Sequence, residues 1–184
     1  MRRILFRRAV DVKTLRAVSR VRPRNGFAVA VRTRRHDAGD AMETFSNSIW
    51  PYLALYKPTL AALAAMGGLL LIQLSVADFF GIRERHPAGH PVTPDPAKIF
   101  FRTTRAAANT NESIAVFILL ALAGILIAAN AVFLNGFAWL YVAGRIAHMI
   151  AYYANQARLR SAFFGVAVLG LVGMLATVVP AFWA

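Results

Sequence analysis

From Thr59 onward, long apolar runs alternate with short polar breaks, and this rhythm predicts four helices long enough to cross a membrane. The first is expected from Thr59 to Phe80, with Gln73 its strongly polar interior residue, placed to hydrogen-bond a neighbouring helix. Four prolines and two glycines in GIRERHPAGHPVTPDPAKIF forbid a continuous helix through the next stretch. A second helix is expected from Pro96 to Val132, then a tight uncharged turn at Leu134 to Gly136. A third follows from Phe137 to Asn155, then the basic turn Ala157-Arg158-Leu159-Arg160. The fourth runs from Ser161 to Val179 and stops at Pro180, with Trp183 as an interfacial anchor. The fold class is all-α: an integral membrane four-helix transmembrane bundle, occupying residues 42–184.

The polar positions that interrupt these helices are spaced to share faces. Arg102, Arg105, Asn109 and Glu112 fall within an arc of about 80° at the start of the second helix. On the third helix Arg145, His148 and Tyr152 fall within about 60°, with Tyr141 on the same side. Ala143, Ala147 and Ala151 form a separate small-residue stripe, expected to pack closely on another helix. An arginine near mid-helix needs a partner, and Glu112 is the carboxylate at comparable depth. A buried ion-pair network that only holds helices together would explain those two. It leaves Arg102, Arg105, Arg158 and Arg160 at one mouth of the bundle, more cation than one glutamate needs. Such a surplus of guanidinium forks suits carboxylates or phosphates.

Composition supports a membrane protein. Of 184 residues 58% are hydrophobic and 16% charged, against roughly 25% charged in soluble domains. There are no cysteines, which excludes a disulfide framework, a cysteine nucleophile and a thiolate metal site. His86 and His90 are four apart, but Pro87 and Gly89 break any helix between them and no acid completes a set, so no metal site is expected. The net charge of +13 is concentrated in the first 41 residues, which hold 12 of the 21 Lys and Arg. Residues 1–41 have no sustained period and are expected to be a disordered extension or sequence upstream of an initiator at Met42, rather than a nucleic-acid-binding arm. Trp50, Tyr52, Tyr56 and Lys57 suit an interfacial belt before the first span. Arg83, Arg85, Lys98, Arg102 and Arg105 lie on the same side as Arg158 and Arg160, so the positive-inside rule puts both basic connections in the cytoplasm.

Two motifs carry a family resemblance. Arg102, Arg105, Ala106, Asn109 and Glu112 form R-x-x-R-A-x-x-N-x-x-E, and Gly144, Arg145, His148 and Tyr152 form G-R-x-x-H-x-x-x-Y. With Arg160 and Ser161 after the short basic turn, the pattern resembles the MAPEG family, the membrane-associated proteins of eicosanoid and glutathione metabolism, over roughly Tyr52 to Phe182. The likeness is to bacterial, microsomal glutathione transferase-like members. It implies a homotrimer in a bacterial inner membrane, with glutathione as co-substrate bound near the cytoplasmic side between neighbouring subunits. By position Arg102, Arg105, Asn109, Glu112, Arg145, His148 and Tyr152, with Arg83 or Arg85, would hold glutathione, and Arg160 with Ser161 would stabilise its thiolate. Phe164 stands where some members carry a tyrosine, Ala108 replaces a polar residue of the prostaglandin synthase, and the turn before Arg160 is one residue shorter, leaving Arg158 a rival. The resemblance therefore implies conjugation or peroxide reduction of lipophilic electrophiles rather than eicosanoid synthesis.

The chemistry is coherent, because only a thiolate is a good nucleophile and a guanidinium in a low-dielectric site favours it. The alternatives are a lipid-binding scaffold without activity, and a small transporter with Glu112 and His148 as a proton relay.

Overall fold

The computed structural model describes residues 26–183, with the backbone alone for residues 26–39 and 41. Among the described residues the secondary structure is all helical: α1 (Gly26–Leu55), α2 (Lys57–Arg83), α3 (Ile99–Leu126), α4 (Ala131–Tyr153) and α5 (Ala157–Ala181). The chain divides into two compact units, Met1–Ser48 and Ile49–Ala184. In the first, the Thr44 hydroxyl donates to the Asp40 carbonyl at 2.8 Å and Ser48 to that of Phe45 at 2.9 Å. The expectations for residues 1–25 lie outside the described residues, and residues 26–41 belong to α1.

In the second unit α2 packs on α3 and α4, α3 on α4 and α5, and α4 most extensively on α5. Ala62, Met66 and Leu69 of α2, Phe117 and Ala121 of α3, Leu134 and Tyr141 of α4, and Met174 of α5 meet in one buried core. The outward positions are apolar too: Leu71, Leu119 and Leu169 are 67%, 68% and 62% exposed. A helix that is apolar on both its packed and its outward side belongs in hydrocarbon. Three helices, α2, α3 and α5, are long and apolar enough to cross a membrane. The remaining helix of this unit, α4, carries Asn135, Arg145 and His148 within its 23 residues.

Three boundaries differ from the pattern-based expectation by four residues or more. The break between the second and third helices of the pattern lies at Ile127–Asn130, not at Leu134 to Gly136, which are inside α4. Asn130 is the cause: its side chain accepts from Val132 N at 3.1 Å and Phe133 N at 3.3 Å, capping α4. Asn135 looked like a turn residue but works from within the helix. Its Oδ1 accepts from Thr59 N and Oγ1, and its Nδ2 donates to the Leu55 carbonyl, so it ties the α1–α2 junction to α4. The hydroxyls of Tyr52 and Tyr56 donate to the buried carbonyls of Ile125, in the last turn of α3, and Ala129, in the break that follows it. Burial, with the neighbouring Tyr52, raises the Tyr56 phenol above its usual range. Finally, α5 starts at Ala157, so Arg158 and Arg160 sit in its first turn.

Two packing expectations are also corrected. The close seam does not follow Ala143, Ala147 and Ala151, since Ala143 is exposed. It runs through Gly144 and Gly170, where an added Cβ would lie 2.7 Å from Ala167 N and from Tyr141 N respectively. Gln73 is fully buried, but among the described residues neither of its amide atoms has a partner, so the interhelical hydrogen bond expected of it is not formed there.

Candidate functional site

The α4–α5 seam sets the site. Close approach at Gly144 and Gly170 draws the two helices together and leaves the longer side chains of the following turns to spread around a hollow. Asn109 of α3, His148 and Tyr152 of α4, and Arg160, Ser161 and Phe164 of α5 line a cavity of about 250 Å³. Five of these six come from the two polar faces and the basic turn identified in the sequence. Phe164, the departure from the family pattern, supplies an apolar wall. No carboxylate lines the cavity.

Behind this wall lies a hydrogen-bonded chain. Arg145 is 1% exposed. Its Nη1 donates to Asn109 Oδ1 at 2.8 Å and its Nη2 to Ser113 Oγ. Ser113 Oγ lies 2.8 Å from the buried Tyr141 hydroxyl. On the far side, Asn109 Nδ2 donates to Glu112 Oε2 at 3.4 Å. The direct Arg145–Glu112 ion pair expected from the sequence is therefore not made; the amide of Asn109 stands between them. The guanidinium is also flanked by the rings of Tyr141 and Phe164, each 5.5 Å away. Among the described residues its Nε and the Nδ1 of buried His148 have no hydrogen-bond partner. His148 packs edge-on against Tyr152, with ring centroids 5.2 Å apart.

At the mouth, the half-buried Arg160 guanidinium stacks over the Tyr152 ring at 4.5 Å. Among the described residues its N–H groups make no hydrogen bond, so its fork remains available to a ligand. It sits in the first turn of α5, where unpaired backbone N–H groups and the helix dipole add to its field. Ser161 donates to the Ala157 carbonyl at 3.3 Å, leaving its oxygen free to accept.

The other candidates are spread more widely. Arg105 and Glu112 are exposed, beside the cavity rather than lining it. Arg102 turns back along α3, its Nη1 donating to the carbonyls of Pro96 and Ala97 at 2.8 and 2.7 Å, so that the fork steadies the start of α3. Arg83, at the end of α2, and Arg158 are exposed, and neither lines this cavity. No group of three or more potential metal ligands occurs among the described residues. Ser113 was missed in the sequence although it stands four residues after Asn109 and therefore on the same face.

Cations, amide and imidazole donors around one hollow, with no acid in its lining, suit a small anionic ligand. Compared with known proteins, residues 59–179 match the family model described as MAPEG family, a stretch that covers α2 to α5 almost end to end. No curated protein and no solved structure matches the chain.

Proposed function

The chain belongs to the MAPEG family, and on that premise we propose that it is a membrane-embedded, glutathione-dependent transferase or peroxidase acting on lipophilic electrophiles. The observation that carries this reading is the unpaired guanidinium of Arg160 in the wall of a cavity shared with Asn109, His148, Tyr152 and Ser161. Glutathione is an anionic peptide thiol, and these residues offer its carboxylates and sulfur donors without a competing acid.

In the proposed reaction Arg160 hydrogen-bonds the sulfur, lowering the thiol pKa from about 8.5 so that the thiolate predominates near neutral pH. The thiol proton leaves to solvent. The thiolate attacks an electrophilic carbon arriving from the lipid; a carbon–sulfur bond forms and, for an aryl halide, halide departs. With a hydroperoxide the thiolate instead cleaves the O–O bond, giving an alcohol and a sulfenic acid, which a second glutathione converts to disulfide and water. Tyr152 holds the Arg160 guanidinium flat by stacking, and Asn109 and His148 bind the peptide's polar groups.

The same reading takes α4 as a fourth membrane span, made tolerable by the polar chain at Arg145. It places the α2–α3 and α4–α5 connections in the cytoplasm and joins three copies around the exposed Arg105 and Glu112 face. Arg83 would then reach the cavity of a neighbouring subunit. The test is purification in detergent, glutathione titration and a conjugation assay with an aryl halide. Saturable binding with turnover supports the proposal; no binding at millimolar glutathione removes it, and leaves a scaffold or transporter.

A further inference from the structure

Asn109 can face the cavity in two ways, as a donor through Nδ2 or as an acceptor through Oδ1, and the two faces would select opposite ligand groups. We propose that Ser113 and Tyr141 are positioning residues which, through Arg145, fix Asn109 as a hydrogen-bond donor to an anionic oxygen of the ligand. This rests on the glutathione reading above, and it concerns residues outside the motifs that led there.

The directions of the bonds that set Asn109 follow from what each group can do. Arginine only donates, so the atom of Asn109 at 2.8 Å from Nη1 must be Oδ1. A carboxylate only accepts, so the atom facing Glu112 must be Nδ2. The amide is thus set from both sides, and among the described residues Nδ2 keeps a second N–H without a partner. Ser113 accepts from Nη2 and can donate to the Thr110 carbonyl at 3.3 Å. The hydroxyl of Tyr141, fully buried and with no other partner among the described residues, lies 2.8 Å from Ser113 Oγ, where either hydroxyl can donate. A guanidinium held by one oxygen can rotate about that bond, whereas one held at both Nη atoms cannot. Tyr141 is in turn seated by stacking on Phe117, 4.6 Å between centroids and 18° between planes. The contact that aims Asn109 is therefore built in the packed core rather than in the cavity.

Two variants remove the hold with little change of shape. Tyr141→Phe keeps the ring stack and loses the hydroxyl; Ser113→Ala loses the acceptor, and Ser113→Thr restores it. The first readout needs no ligand: the side-chain amide signal of Asn109 in nitrogen-15-labelled protein in detergent, assigned by its loss in Asn109→Asp. Slow hydrogen exchange is expected in the native protein and in Ser113→Thr, with faster exchange in Tyr141→Phe and Ser113→Ala. The second readout compares glutathione with analogues in which either carboxylate is a carboxamide. The native preference for the carboxylate should shrink roughly three- to tenfold in Tyr141→Phe and Ser113→Ala, the size of one aligned hydrogen bond, and recover in Ser113→Thr. An Asn109 signal identical in all variants, or an undiminished preference, overturns the positioning role. If the amide signal responds as expected but the native protein binds no glutathione, the positioning role stands and the transferase reading falls.

Discussion

Arg145 is a buried cation whose direct hydrogen-bond partners are neutral oxygens, with the nearest carboxylate one amide away. Such a residue is a weak device for stability, because desolvating a charge offsets most of what its bonds return. Its value lies in the direction it imposes on Asn109. Arg145→Met is therefore expected to leave thermal stability in detergent within about 2 kcal/mol of native, while sharply weakening glutathione binding. Loss of the folded protein would show instead that the network exists to hold α3 and α4 together. At this scale much was legible in the sequence. Spacing alone placed Asn109, Arg145, His148 and Tyr152 on two matching faces, and five candidate residues do line one cavity. What spacing does not give is the reach of a long side chain: Arg102 shares the face of Asn109 yet bonds backwards to Pro96 and Ala97. Nor does it say which short hydroxyl completes a chain, and Ser113 was passed over for that reason.

Helices in hydrocarbon gain little from apolar contact with each other, so close backbone approach decides which pairs pack. Here that approach is the α4–α5 seam at Gly144 and Gly170, and it carries Tyr141 as well as the cavity. A Cβ at residue 170 would meet the Tyr141 backbone at 2.7 Å, an atom that cannot move aside alone. Gly170→Val is expected to destabilise by about 1–3 kcal/mol, the usual cost of overpacking, seen as a lower melting temperature in detergent. Because the displaced residue is Tyr141, slow exchange of the Asn109 amide should be lost together with stability. Unchanged stability would mean that the helices are free to part. The pattern of apolar runs predicted the existence of α2 to α5, while their ends were set by chemistry that hydropathy does not register. Asn130 caps α4 inside an apolar stretch, and Asn135 resembled a turn although its bonds reach Thr59 and Leu55. The alanine stripe misled for a similar reason: small residues permit close approach, but the two glycines permit a closer one.

For the molecule as a whole, three apolar spans and membership of the MAPEG family make it a membrane protein, and the glutathione chemistry proposed for it turns on one charge. Arg160 stands at the mouth of the cavity with its fork unpaired, at the end of α5 where the helix field is positive. If it stabilises a bound thiolate, that thiolate must survive to lower pH than a free one. The direct measurement is the ultraviolet absorbance of glutathione thiolate against pH, in detergent-solubilised protein and in Arg160→Ala. In the native protein the inflection should fall below the free value of about 8.5, and in Arg160→Ala it should move back up towards it. An inflection at the same pH in both proteins would contradict the account.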